Sequence, residues 1–311
     1  MIEGARNMES TDTWIGEAFT PDDIWQHRVS NVLVHCQTPF QELSIVESGV
    51  YGKALVLDGR WQTCTGDEFL YHEPLVHTPL VMHGQPRRVL IAGGADGGAT
   101  REVLKWTCVE EVLLVDIDGD AVDACRNFLP EIHQGSLYDP RVRVEIGDAF
   151  DIIERSRDWD VIIADLTDPI ESGPAFKLFT REFFVNCRRA LRAGGYFINQ
   201  AGSISPPLLG PLARVAKTIG SVFVHATVVT ANVPTYGSPW GLVLASDKPL
   251  ELRPDPDRID QQIERSTTGE LKMFDGVTLL GLLQVPKYVR NRIASETKVY
   301  TLEDPPQIVR G

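Results

Sequence analysis

The side chains best suited to chemistry are acids, and they recur at intervals through the middle of the chain. Asp165-Leu166-Thr167-Asp168-Pro169 carries two carboxylates three positions apart on a segment that proline stops. Burying both without a cation is costly, so they face solvent or a positively charged substrate. The plainer alternative is that Asp168 only caps the turn before Pro169. Another acid, Asp96, sits inside the glycine run Gly93-Gly94-Ala95-Asp96-Gly97-Gly98. Glycines let backbone approach a ligand, and a helix that follows offers free amides. Asp116-Ile117-Asp118 begins 18 residues beyond Gly98, where a carboxylate suits both hydroxyls of a ribose. In Gly147-Asp148-Ala149 an acid can accept from an adenine amino group. Taken singly, Asp116 or Asp118, and Asp148, also read as helix N-caps.

Asp96 narrows the ligand further. In methyltransferases the equivalent loop faces a methionine tail that bears an ammonium and a carboxylate. An acid planted there repels the tail's carboxylate and favours a tail carrying only the amine. Like charges about 4 Å apart cost several kcal/mol at intermediate dielectric.

These loops must be held at strand ends. After Pro86, runs rich in Val, Ile and Leu at 88–92, 111–116, 141–146, 159–165 and 195–201 alternate with helical segments at 98–106, 119–129, 148–156, 180–192 and from about 207. Strands at 221–230 and 240–246 close the series. Near-continuous apolar strands between helices predict an α/β fold with a Rossmann-like, doubly wound, mostly parallel sheet of the class I methyltransferase kind. Ligands in such folds lie beyond the carboxyl ends of the strands. Ahead of it, strands at 42–46 and 53–57, the Asp58-Gly59 turn and a strand from Trp61 predict a small N-terminal β domain over 18–66. Asp67 is placed to cap a helix through Phe69, His72, Leu75, Val76 and Leu80. Residues 1–17 read as disordered. The catalytic domain spans 67–311 and ends in helices near 257–265 and 276–283 and a polar tail.

Composition limits the partners. With 43 acids against 30 bases the net charge is −13, which disfavours nucleic acid and anionic lipid and attracts cations. The chain has no long apolar run and no leader, which predicts no membrane association and a cytoplasmic location. Five cysteines without a C-x-x-C pair and seven histidines without H-E-x-x-H predict neither disulfides nor a metal.

In combination, Tyr51-Gly52-Lys53, Leu57-Asp58-Gly59, Gln62, Asp67-Glu68-Phe69-Leu70-Tyr71-His72-Glu73, the glycine run, Asp116-Ile117-Asp118, Gly147-Asp148 and Asp165 to Asp168-Pro169 with Gly173-Pro174 resemble the spermidine synthase family of polyamine aminopropyltransferases. The resemblance covers about residues 38 to 247. His72, the long Asp165–Pro174 loop, Gln200-Ala201-Gly202, Trp240-Gly241 and Glu296–Thr301 are similar to the thermospermine synthase type. Ala95 departs from the family's usual glycine.

The resemblance implies decarboxylated S-adenosylmethionine as co-substrate, with methylthioadenosine as product. Gln41, Leu57, Gln62, His72, Gly93, Gly94, Asp96, Asp116, Ile117, Asp148, Ala149, Asp165 and Pro174 would hold it. Asp165 would be the general base, with Tyr71 and Asp168 beside it. Tyr71, Asp168, Gln200 and Tyr236 would position the acceptor. Spermidine, giving thermospermine, is the expected acceptor, with putrescine and agmatine as alternatives and a homodimer or homotetramer as the assembly. Two rivals from other classes are an S-adenosylmethionine methyltransferase on the same fold and a non-catalytic polyamine-binding protein.

Overall fold

The structure, a computed structural model, describes residues 13–169 and 175–306. It opens with a hairpin of β1 (Thr13–Thr20) and β2 (Asp23–Val29). A four-stranded antiparallel sheet follows, with β3 (Asn31–Gln37), β4 (Glu42–Ser48), β5 (Gly52–Leu57) and β6 (Arg60–Cys64) in sequential order. Residues 13–17, expected to be disordered, are therefore strand. Ile15, Glu17 and Phe19 alternate inward, a period-two pattern that is hard to see among the polar residues around it. Phe19 and Trp25 pack against Gly237, and His27 Nε2 lies 3.0 Å from the Thr235 carbonyl oxygen. These contacts fasten the hairpin to a distant loop.

The main domain runs α1 (Phe69–His83), β7 (Arg88–Gly93), α2 (Gly98–Leu104), β8 (Glu111–Asp116), α3 (Gly119–Phe128), α4 (Pro130–His133), β9 (Val142–Ile146), α5 (Ala149–Arg155) and β10 (Trp159–Asp165). It continues with α6 (Arg181–Ala190), β11 (Leu191–Ser203), α7 (Leu209–Gly220), β12 (His225–Asn232), β13 (Pro239–Ser246), α8 (Pro256–Ser266), α9 (Gly276–Leu282) and α10 (Lys287–Ser295). The seven-stranded sheet has the order β12-β13-β11-β10-β7-β8-β9. Strands β7 to β11 are parallel, and β13 runs antiparallel between β11 and β12. The order in which strands are added switches sides between β7 and β10, with β8 and β9 on one side and β10 and β11 on the other, which makes their carboxyl ends the crevice of the fold.

Alternate residues of each strand feed opposite layers. Leu90 and Ala92 pack with α5, α6 and α7, whereas Val89 and Ile91 pack with α1, α2, α8 and α9. Leu43, Ile45, Leu55 and Leu57 of the small sheet pack on Ala121 and Cys125 of α3, which docks the N-terminal sheet beside the crevice. Each such fully buried aliphatic side chain contributes about 1.5–3 kcal/mol.

Three expectations shift. Asp67 does not cap α1. Its carboxylate instead accepts from Thr235 N (2.9 Å) and Thr235 Oγ1 (3.0 Å), and from Cys64 Sγ (3.0 Å). Strand β12 begins at His225 rather than 221, because Val222 and Phe223 turn into the core. Part of the expected polar tail forms α10, which buries Val289. Among the described residues no helix is long and apolar enough to cross a membrane.

Candidate active site

Pairing of β7 with β10 sets Gly93 opposite Asp165. Gly93 has φ +80°, and a Cβ there would lie 2.0 Å from the Asp165 carbonyl oxygen. The two backbones meet because this position has no side chain. Asp165 thus overhangs the glycine loop, with Oδ2 3.1 Å from where a Cβ on Gly94 would stand. Tyr71, from the first turn of α1, donates its hydroxyl to Asp165 Oδ1 at 2.8 Å. Burial raises the Asp165 carboxyl to about 6, with Asp96 adding to the rise and His72 and the Tyr71 hydroxyl opposing it. Burial and the Asp165 charge hold the Tyr71 phenol well above its usual range, so it stays a donor.

Asp96 accepts from Gly98 N at 2.7 Å and lies 3.5 Å from His72 Nε2. On its other side His72 Nδ1 meets Glu68 Oε2 at 2.7 Å, and Glu68 also receives Arg101 Nη2 at 2.8 Å. Burial opposes charge on His72, but Asp96 and Glu68 outweigh it and raise the imidazole well above its usual range. The two acids thus favour the cationic form of His72, which in spite of burial helps hold Asp96 ionised.

The other strand-end acids divide by role. Asp118 caps α3 through Ala121 N and accepts from Thr38 Oγ1 (2.7 Å) and Gln41 Nε2 (2.9 Å). Asp116 faces the cavity, where burial raises it to about 7 against a hydrogen bond from Asp118 N. Asp148 caps α5 through Phe150 N and pairs with Lys177, so the capping reading of this residue describes its contacts here. Gln41 is turned to Asp118, and Gln62 Nε2 to the Arg60 carbonyl oxygen at 3.1 Å.

Past Asp165 the crevice continues to Asp168. Gln200 Nε2, on β11, reaches Asp168 Oδ1 at 3.3 Å, and Arg60 Nη1, on β6, reaches Oδ2 at 3.2 Å. Burial raises the Asp168 carboxyl, and Arg60 opposes that rise. Gln200 Oε1 is buried without a hydrogen-bond partner among the described residues, an acceptor suited to an incoming N–H. Tyr71, Tyr236 and Trp240 form a run of edge-on aromatic rings, with centroids 5.7 and 5.1 Å apart. Tyr236 is anchored through its hydroxyl to the Gln62 carbonyl oxygen at 2.7 Å.

The crevice forms one cavity of about 1480 Å³, counting its open mouth, which Asp118, Glu68 and Arg101 support from outside its lining. It takes in Gln41, Leu57, Gln62, Tyr71, His72, Gly93, Gly94, Asp96, Asp116, Ile117, Asp148, Ala149, Asp165, Asp168, Gln200 and Tyr236. Pro174, expected to pack on the co-substrate, lies outside the described residues. Sequence reasoning missed Glu17, Phe19 and Arg60, which line the same cavity. Glu17 and Phe19 fall in a segment whose two-residue alternation is short and masked by polar neighbours, and Arg60 follows a turn, where a cation is ordinarily solvated.

The sheet order, the glycine loop and the acids at successive strand ends define a Rossmann-like enzyme of the class I methyltransferase fold. Residues 68–253 match the spermine/spermidine synthase domain, and residues 13–64 match the spermidine synthase tetramerisation domain. The chain belongs to the spermidine synthase family and is a polyamine aminopropyltransferase. It is 50% identical over 303 residues to a polyamine aminopropyltransferase of a Synechococcus strain, covering 95% of this chain and 97% of the relative. It is 33% identical to the thermospermine synthase ACAULIS5 of Arabidopsis thaliana, covering 94% and 86%. Among solved structures, a spermidine synthase in complex with the transition-state analogue AdoDATO superposes with a TM-score of 0.84 at 30% identity, covering 91% of this chain and 95% of that one. The spermidine synthase of Thermotoga maritima gives 0.80 at 29%, covering 90% and 94%.

Proposed function

We propose that the chain transfers the aminopropyl group of decarboxylated S-adenosylmethionine to spermidine, giving thermospermine and methylthioadenosine. One observation carries the chemistry: Asp165, gripped by Tyr71, overhangs the glycine loop, while Asp168 follows along an aromatic wall. Asp116 would accept the ribose hydroxyls. Around the aminopropyl tail, Asp96 and Asp165 outnumber the single imidazolium of His72, a balance that favours an amine and disfavours a carboxylate. That a related spermidine synthase is solved in complex with the transition-state analogue AdoDATO supports the aminopropyl-transfer reading.

The reaction is in-line displacement at the carbon next to a sulfonium, so orientation and a neutral amine are what the protein must supply. An alkylammonium near pKa 10 is only about 0.1% neutral at pH 7, an unfavourable balance of roughly 4 kcal/mol. A carboxylate beside it also stabilises the charged form. Asp165 therefore acts by taking the proton as the nitrogen attacks. Tyr71, bound to Oδ1, leaves Oδ2 for that proton. Asp168 anchors the amine chain, the Gln200 carbonyl offers it an acceptor, and Tyr71, Tyr236 and Trp240 present rings that attract cations.

Spermidine is preferred as acceptor because of the thermospermine-type features, His72 foremost, and the similarity to the Arabidopsis enzyme. The tetramerisation-domain match supports a homo-oligomer built on residues 13–64. Mass spectrometry of products from decarboxylated S-adenosylmethionine with spermidine, putrescine or agmatine tests the acceptor. Thermospermine is expected as the main product. Spermidine formed faster from putrescine would overturn that choice while leaving the aminopropyl chemistry intact.

A further inference from the structure

One cation in the cavity has no role in the chemistry above. Arg60 Nη1 lies 3.2 Å from Asp168 Oδ2 and 3.5 Å from Glu17 Oε1, between an acceptor-anchoring acid and the N-terminal hairpin. The three side chains are only 18%, 21% and 19% exposed, respectively. If Asp168 anchors an acceptor nitrogen, Arg60 and an ammonium of the same sign compete for one carboxylate. Both held within a few ångströms repel each other, so binding requires Arg60 to withdraw. An Arg60 left without a partner in this confined place would be costly. Glu17 is the acid beside it. It is faced by Arg60 from β6, by Asp168 from the loop after β10, and by the Trp61 N–H.

We infer that Arg60 is a resident counter-ion that passes from Asp168 to Glu17 when the acceptor's ammonium docks, so that the Arg60–Glu17 pair sets acceptor affinity without touching the reacting atoms. The exchange requires little motion, because one guanidinium nitrogen already stands near both acids and side-chain torsions alone shift it. It is also close to balanced in energy, since one partly exposed ion pair is traded for another. Without Arg60, unliganded Asp168 would be a half-buried carboxylate whose remaining hydrogen-bond partner among the described residues is Gln200. Without Glu17, Arg60 would stay on Asp168 and block the acceptor. Burial raises Glu17 to about 7 even with Arg60 opposing the rise, which marks an acid in want of a closer cation.

The inference rests on the aminopropyl-transfer reading but not on which polyamine accepts. The experiment is steady-state kinetics of wild type, Glu17→Gln, Arg60→Gln and the double variant, with whichever of spermidine and putrescine the wild type uses faster. Glu17→Gln is expected to raise the acceptor KM about tenfold, with a much smaller fall in kcat and an unchanged KM for decarboxylated S-adenosylmethionine. Arg60→Gln should bind the acceptor at least as tightly as wild type, and the double variant should recover most of the loss. A structural defect at Glu17 would not be repaired by removing Arg60. The inference is overturned if the double variant keeps the Glu17→Gln defect, if Glu17→Gln leaves KM unchanged, or if Arg60→Gln alone raises KM tenfold. The wild type's choice of acceptor separately decides the spermidine assignment.

Discussion

Burial raises the Asp165 carboxyl to about 6, and the base role proposed for it needs the ionised form. Turnover with saturating co-substrate should therefore fall as pH drops through about 6, by up to tenfold per unit. Asp165→Asn should lower kcat by roughly 10²- to 10⁴-fold, the range for loss of a positioned base, and flatten that limb. Its melting temperature should not fall, because the substitution removes a charge that burial disfavours. If kcat stays near wild type, the base assignment fails. Asp116 makes a second pH prediction. Hydroxyl donors require its carboxylate form, and its pKa is about 7. Methylthioadenosine should bind about tenfold more tightly at pH 8 than at pH 6, the change in ionised fraction across that range. Calorimetry should show this trend lost in Asp116→Asn. Both acids are raised in the folded chain, so the native state keeps protons that the unfolded state releases. The unliganded protein should accordingly lose stability as pH climbs from the ordinary carboxylate range through about 7. The strand-end acids were legible in the sequence because each follows an apolar run and stands beside glycine or a second acid. Which of Asp116 and Asp118 faces the cavity was not legible from type and spacing, since two acids two positions apart can each serve as cap or ligand group, and only the family resemblance pointed to Asp116. Glu17 and Arg60 meet only through the packing of β1 on β6, which leaves no local trace.

At the scale of elements, the parallel strands could be read from their near-unbroken Val, Ile and Leu content, and the glycine loop from its composition. The closeness of β7 and β10 could not, because the register that sets Gly93 against Asp165 is a long-range pairing. That register makes a sharp prediction. Gly93→Ala would force a Cβ to within 2.0 Å of the Asp165 carbonyl oxygen at a φ of +80°. Thermal or denaturant unfolding should show a loss of about 3 kcal/mol or more, with kcat collapsing as the Asp165 loop is displaced. Gly135→Ala is the control, since φ is +85° there but a Cβ meets nothing within 4 Å. It should cost only about 1 kcal/mol, the backbone penalty alone, and leave kinetics unchanged. Equal losses in the two variants would mean that backbone conformation, and not the close approach of the two strands, is what Gly93 provides. Asp67 shows the same limit on local reading. It has the type and position of a helix cap, yet tertiary contacts with Thr235 claim both oxygens. It thereby ties the start of α1, which carries Tyr71 and His72, to the loop that carries Tyr236.

At the scale of the molecule, the N-terminal hairpin has one face on the cavity and the other exposed, so it would join assembly to catalysis. Its inner face supplies Glu17 and Phe19 to the cavity and braces the Thr235–Gly237 loop through Trp25 and His27. Its outer face exposes Trp14 (52%) and Ile24 (63%), large apolar side chains that a monomer gains nothing by presenting to water. The tetramerisation-domain match over residues 13–64 supports covering that face with another copy of the chain. The double variant Trp14→Asp, Ile24→Asp places charge there without touching the inner face, because strand neighbours point to opposite sides. Light scattering should show it as a smaller particle than wild type. Once the hairpin is free of a partner, the wall it forms should loosen on the acceptor side only. The acceptor KM should then rise several-fold while the KM for decarboxylated S-adenosylmethionine holds, since that co-substrate would rest on the ends of β7, β8 and β10 and on Gln41, Leu57 and Gln62, none of which belongs to the hairpin. An unchanged particle mass would place the assembly surface elsewhere. A smaller particle with unaltered acceptor KM would show that the hairpin holds its place over the cavity by intrachain contacts alone.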